Sequence, residues 1–157
     1  MRIAAIDPGG TTGAAVIDTP ITITLLLQHK NLGTVLQKVF DTQPDEIVVE
    51  KFIVYPAAGR YLGWSITPAE LVGIIKAEAE QRGVPVVEQA PSQKHGALVL
   101  LQPLGLYRKG RPHAMDALAH AVYRSLYGHG FAKHPDVQAK LQRFLEEGEH
   151  GERNASV

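Results

Sequence analysis

Ile47-Val48-Val49-Glu50 is a short run that stays apolar until its last position. A strand with one wet face alternates apolar and polar residues, whereas a run without alternation reads as a strand covered on both faces. That pattern calls for a sheet with helices above and below it, and the rest of the chain supplies the elements. Residues 2–7 read as a first strand, the Pro8-Gly9-Gly10 turn returns the chain into a second over 12–18, and Pro20 breaks to a third over 21–28. Leu32, Val35, Leu36, Val39 and Phe40 recur at helical spacing, which predicts an amphipathic helix over 31–42. Thr67, Pro68 and Glu70 form a capping-box pattern for a helix running to residue 82, closed by Gly83. A fifth strand is expected over 84–88 and a helix over 93–101, and Pro112 opens a last helix reaching residue 127. Three strands, helix, strand, helix, strand, irregular segment and helix give a five-stranded mixed α/β sheet with helices on both faces.

With 157 residues, 45% of them hydrophobic, the chain can bury one sizeable core but not two. The folded domain is expected over residues 1–130. Beyond Gly130 the sequence becomes charged, so 131–157 reads as an extension, with a loosely attached helix over 133–145 and disorder from 146 onward. The longest apolar stretch, 21–27, is interrupted by threonines and falls short of the roughly 20 residues a membrane helix needs. Met1-Arg2 leads directly into Ile3-Ala4-Ala5-Ile6, without the charged and apolar regions of a signal peptide. A cytoplasmic setting is expected, and the absence of cysteine agrees with it. Without cysteine, a metal site would draw on Asp, Glu and His, which favours Mg²⁺ or Mn²⁺ over structural zinc.

Sixteen Lys and Arg balance sixteen Asp and Glu, so net charge gives no sign of a nucleic-acid partner. The distribution is more informative. Residues 89–115 contain no carboxylate but carry Lys94, Arg108, Lys109 and Arg111 with His95 and His113; residues 51–69 also lack carboxylates and mix Phe52, Tyr55, Tyr61 and Trp64 with Lys51 and Arg60.

Asp7 and Glu50 each stand at the end of a predicted strand. Individually they have ordinary explanations: Asp-Pro-Gly is turn chemistry, and Glu50 beside Lys51 is a solvated strand terminus. His113 and Asp116 lie three apart in the first turn of the last helix and share a face, where an acidic residue is favoured by the helix dipole alone. Together the four differ from their parts, because all occupy ends of core elements that such a sheet can gather. Three carboxylates and an imidazole in one place repel and desolvate one another unless cations sit among them.

Ile6-Asp7-Pro8-Gly9 with Thr12-Gly13, then Val48-Val49-Glu50, then residues 113 to 121 (HAMDALAHA), resemble the successive motifs of RuvC-type resolvases, particularly bacteriophage relatives; Gln89-Ala90-Pro91-Ser92-Gln93-Lys94 resembles a further segment of those proteins. The resemblance spans residues 1 to about 128 and rests on the order and spacing of the motifs. It implies an RNase H-like fold, a site with two Mg²⁺ or Mn²⁺ ions, and a homodimer in a bacterial cell or phage-infected host that cuts a four-way DNA junction symmetrically. Asp7 would bridge the ions, Glu50 would complete one coordination sphere, and Asp116 with His113 the other, while Lys94 would stand near the scissile phosphate. Lys51, Phe52, Tyr55, Arg60, Lys94, Arg108, Lys109 and Arg111 are the candidate DNA contacts, with Phe52 and Tyr55 both open as the aromatic that stacks at the crossover. The dimer is expected through the helix starting near Pro68, by Leu71, Ile74 and Ile75.

Two departures from the family pattern bear on the site. The glycine turn after Asp7 is one residue shorter than in cellular RuvC, and His113 stands where many relatives have aspartate, which moves metal preference toward Mn²⁺. Other readings compete. An actin-like ATPase or sugar kinase also follows its first strand with an Asp-Gly-Thr turn, but it needs two such domains around its nucleotide, so no nucleotide cofactor is expected. An RNase H-like nuclease of RNA processing and a junction-binding protein with a degenerate site complete the alternatives.

Overall fold

A computed structural model describes residues 1–51 and 67–154. The elements are β1 (Arg2–Asp7), β2 (Thr12–Asp18), β3 (Thr22–His29), α1 (Leu32–Phe40), β4 (Glu46–Glu50), α2 (Thr67–Gln81), β5 (Val86–Gln89), α3 (Pro91–Leu101), α4 (Pro112–Tyr123) and α5 (Pro135–Asn154). The strands form one sheet in the order β3-β2-β1-β4-β5. The hairpin pairs β1·β2 and β2·β3 are antiparallel, while β1·β4 and β4·β5 are parallel, so the sheet is mixed as expected.

The two faces of the sheet read directly from the two-residue period of its strands. Ala4, Ile6, Ala14, Val16, Ile47 and Val49 face one side, where Val35, Leu36 and Val39 of α1 and Val72, Ile75 and Ala79 of α2 cover them. The alternate residues Ile3, Ala5, Ala15, Ile17 and Val48 face the other side, against Ala97 and Leu101 of α3 and Met115, Leu118 and Val122 of α4. This explains why β4 lacks alternation: Ile47, Val48 and Val49 are all fully buried, on alternate faces. Each such side chain contributes about 1.5–3 kcal/mol by leaving water, and Leu118→Ala would cost about 2–5 kcal/mol through the cavity it leaves.

Local chemistry fixes the helix ends. The Asn31 side chain caps α1 by accepting from the Thr34 N–H at 2.9 Å, Gly83 at φ +67° closes the turn after α2, and Gln93 Oε1 accepts from the Ala90 N–H at 2.8 Å at the start of α3. The far end of α4 is tied to the sheet by Glu46, which is buried at the start of β4. Arg124 donates to both its oxygens at 2.9 Å, and His129 lies 2.6 Å away. Burial pushes the Glu46 carboxyl up, but Arg124 and His129 outweigh it and hold the group below its usual range.

The sequence expectations need four corrections. β5 begins at Val86 rather than residue 84, since Pro85 has no N–H to give to a ladder, although its carbonyl accepts from the Ile47 N–H at 2.9 Å. α3 begins at Pro91, at a position where the missing N–H costs nothing. The last core helix stops at Tyr123 and widens into a π turn over Arg124–Gly128. The C-terminal helix is not loosely attached: Val137 is buried and Leu141 packs against the α4-side core. It continues to Asn154, through residues expected to be disordered, as a docked first turn lets the helix-favouring Glu146, Glu147, Glu149, Glu152 and Arg153 carry it past Gly148 and Gly151. Among the described residues no helix is long and apolar enough to cross a membrane.

Candidate functional site

One row of residues crosses the sheet at the C-terminal ends of its parallel strands. Leu26, Ala15, Ala5, Val48 and Val87 are successive partners across all five strands, and this row is apolar. One step further toward the α4-side rim, Gln28 pairs with Gly13, Gly13 with Asp7, and Glu50 with Gln89. Glu50 follows Val49 as Asp7 follows Ile6, and Ile6 and Val49 are partners, so the two carboxylates end adjacent parallel strands. By the same period they face α3 and α4. The switch from an apolar row to a polar one marks where core ends and site begins.

The helices complete the site. α4 lies directly on β2 at Gly13: a methyl group there would overlap the backbone carbonyl of His113, so only glycine permits this approach. The contact brings His113 Nδ1 to 3.6 Å from Asp7 Oδ2. One turn on, Asp116 Oδ2 accepts from Lys94 Nζ of α3 at 3.0 Å, and the same ammonium lies 2.8 Å from Glu50 Oε2. His120, fully buried one turn further along α4, places Nε2 2.9 Å from Glu50 Oε2 and Nδ1 2.7 Å from Gln89 Oε1. Asp7, Glu50, His113, Asp116 and Lys94, all expected from sequence, are therefore brought together.

Electrostatics distinguish the two strand-end carboxylates. Burial pushes the Asp7 carboxyl up, against the pull of Lys94, and the charges of Glu50 and Asp116 push it further the same way. Glu50 goes the other way: the hydrogen bond from His120 outweighs burial and, with Lys94, holds it at about 2 against an ordinary 4.5. Burial lowers the Lys94 ammonium, but its bonds to Glu50 and Asp116 win and raise it. At these strand ends, then, negative charge exceeds what one lysine balances. Among the described residues no three His, Asp or Glu side chains are gathered tightly enough to grip an ion as they stand. It is the Lys94 ammonium that stands between Glu50 and Asp116.

The other expected contacts divide. Lys51 is exposed at the end of β4, with its N–H donating to Gln89 O at 2.7 Å. Phe52, Tyr55 and Arg60 lie outside the described residues. Arg108, Lys109 and Arg111 are exposed on the segment before α4; Arg108 is held by the carbonyls of Gly105 and Tyr107, and Arg111 by that of Leu26. Of the three residues expected at a dimer contact, Ile75 is instead fully buried against the sheet, since it falls on the inward stripe of α2 with Val72 and Ala79. Ile74 is half exposed and Leu71 partly so, beside an open groove between α1 and α2. Sequence reasoning gave no role to His120 or Gln89. The spacing of His113, Asp116 and His120, three and then four residues apart on one helix face, was the available signal.

No protein-family model matches the sequence, and no curated protein matches it. Solved structures do. The chain is similar to Thermus thermophilus RuvC in complex with a Holliday junction substrate, with 25% identity and a TM-score of 0.65 over 82% of this chain and 95% of that one. It is also similar to a second structure of T. thermophilus RuvC, with 24% identity and a TM-score of 0.60 over 82% of this chain and 96% of that one. The five-stranded mixed sheet with its flanking helices thus has the RuvC-type fold of the RNase H-like superfamily.

Proposed function

We propose that the chain is a metal-dependent, structure-selective endonuclease that resolves four-way DNA junctions by paired hydrolysis of phosphodiester bonds. The observation that carries this reading is the convergence of Glu50 and Asp116 on one half-buried ammonium, with Asp7 ending the neighbouring strand, in a fold shared with RuvC bound to a Holliday junction. The donor set fits hard divalent cations. It consists of carboxylate oxygens with one imidazole, as Mg²⁺ and Mn²⁺ accept, and the Lys94 ammonium acts as a stand-in that marks where positive charge is needed. Asp7, Glu50, Asp116 and His113 would hold two such ions, which when bound supply an activated water and stabilise the leaving 3′ oxygen.

The protein's own residues do the rest. The Asp7 carboxylate is largely desolvated beside two like charges, so it gains most when a cation joins it. Lys94 holds Glu50 and Asp116 together before cations arrive and is within reach of a phosphate laid over them, where it stabilises developing charge. Lys51, Arg60, Arg108, Lys109 and Arg111 follow the DNA backbone, and Phe52 or Tyr55 stacks against bases opened at the crossover. A homodimer using the outer stripe of α2, with Ile74 and Leu71, presents one site to each of two strands.

The competing reading, a nuclease of RNA processing, is separated by substrate. Four-way DNA and RNA stem-loops of equal length, incubated with the protein and Mg²⁺ or Mn²⁺, should give symmetric nicks in opposite strands of the DNA and leave the RNA whole. RNA cleaved at a rate equal to or above the junction rate would favour the other reading.

A further inference from the structure

His120 is the one fully buried histidine among the described residues, and neither the ligand set nor the DNA contacts use it. Burying an imidazole costs free energy unless both ring nitrogens find partners. Both do: Nδ1 is 2.7 Å from Gln89 Oε1 and Nε2 is 2.9 Å from Glu50 Oε2. The partners are themselves paired, since Glu50 and Gln89 stand opposite one another in the β4·β5 ladder. One ring of α4 therefore clamps the ends of two neighbouring strands.

The direction of the bond to Glu50 follows from chemistry. A carboxylate only accepts, so Nε2 carries the hydrogen and donates. Gln89 can turn either end of its amide to Nδ1, so it serves the ring without dictating that choice. His120 and Lys94 both approach Oε2 of Glu50, and among the described residues Oε1 accepts no hydrogen bond. One oxygen is held by both groups, which leaves the other available to a cation. Lys94 reaches Oε2 on a flexible stem with its side chain 12% exposed, whereas His120 is rigid and fully enclosed, so the lasting constraint comes from the histidine.

We propose that His120 is the positioning residue for Glu50: its Nε2–H fixes Oε2, and Gln89 fixes the ring, so that Oε1 is aimed at the metal site. This rests on the metal-site reading given above and adds to it the group that sets the orientation of one ligand. Partners of this kind typically cost about 10- to 100-fold in metal affinity when removed.

The test uses two substitutions that differ in reach. In His120→Gln the side-chain amide extends to about where Nε2 lies and can still donate to Glu50, while in His120→Asn it reaches only the Nδ1 position and Gln89. Mn²⁺ affinity is measured by titration calorimetry on the full-length protein without DNA, alongside Glu50→Gln. The result expected is an affinity lowered about 10- to 100-fold in His120→Asn and largely kept in His120→Gln. His120→Asn binding Mn²⁺ like the wild type, or both variants losing affinity equally, would overturn the positioning role while leaving the metal site standing. Wild-type binding that Glu50→Gln does not weaken would overturn the metal-site reading and the positioning role together.

Discussion

Gly13 stands opposite Asp7 in the β1·β2 ladder and directly beneath the carbonyl of His113. The missing side chain sets how near α4 comes to the carboxylate row, and so the distance between the two halves of the site. In Gly13→Ala the added methyl meets backbone, which cannot rotate aside as a side chain would. Overpacking of this kind costs about 1–3 kcal/mol, and the first turn of α4 should move outward with His113 and Asp116. Urea denaturation should show that loss, and junction cleavage should fall further than junction binding. Unchanged stability would mean that α4 does not rest on β2 as described.

Lys94 is the only cation placed between Glu50 and Asp116 among the described residues, so Lys94→Met leaves two partly buried carboxylates facing one another. The metal-free protein should lose about 1–3 kcal/mol, the range for charge-assisted hydrogen bonds in partly buried sites. Saturating Mn²⁺ or Mg²⁺ should recover most of it, because a bound cation takes over the countercharge. An equal loss with and without metal would place the ions elsewhere.

Asp7 carries a carboxyl pushed up by burial and by the charges of Glu50 and Asp116, so its ionised form destabilises the metal-free fold near neutral pH. Asp7→Asn keeps the shape and removes the charge. It should melt at a higher temperature than wild type in metal-free buffer, lose that advantage as metal is added, still bind junctions, and cut them at least about 100-fold more slowly, beyond the usual cost of an outer-shell partner. A lower melting temperature in metal-free buffer would contradict the repulsion described.

Glu50 is the opposite case. Its carboxyl is depressed to about 2 from 4.5, so the stability it contributes is fully present above pH 4.5 and is lost as pH falls toward 2. That shift corresponds to at most about 3.5 kcal/mol at roughly 1.4 kcal/mol per pH unit, and solvent screening of the partly exposed carboxylate lowers it. Glu50→Gln has no such group, so its denaturation free energy should fall less steeply than that of wild type between pH 5 and pH 2. Parallel curves would mean that His120 and Lys94 do not hold Glu50 ionised.

The sheet was legible in the sequence because its strands are apolar runs bounded by turn residues: Pro8-Gly9-Gly10 and Pro20 delimit β1 and β2, and the unbroken run of β4 gives cover on both sides. Asp7, Glu50, His113 and Asp116 could be found because they end core elements. His120 could not be singled out by type, since a histidine on an apolar helix face reads as core until its partners are known, and those partners, Gln89 and Glu50, come from two other elements. Lys94 was found in sequence through its position, but its pairing with Glu50 and Asp116 depends on how α3 packs against α4, which no local pattern encodes. The reach of α5 to Asn154 was missed for a related reason: local composition there reads as solvated, and only the burial of Val137 reveals that the helix is nucleated by docking.

The most direct measurement is single-turnover cleavage of a mobile four-way DNA junction, with linear duplex of the same sequence as control, in Mg²⁺, in Mn²⁺ and in chelator. The result expected is paired cuts in two opposing strands near the crossover in either metal, an intact duplex, and no cutting in chelator or by Asp7→Asn. A folded preparation that leaves the junction whole in both metals, or cuts the duplex as fast as the junction, would contradict a junction-resolving nuclease.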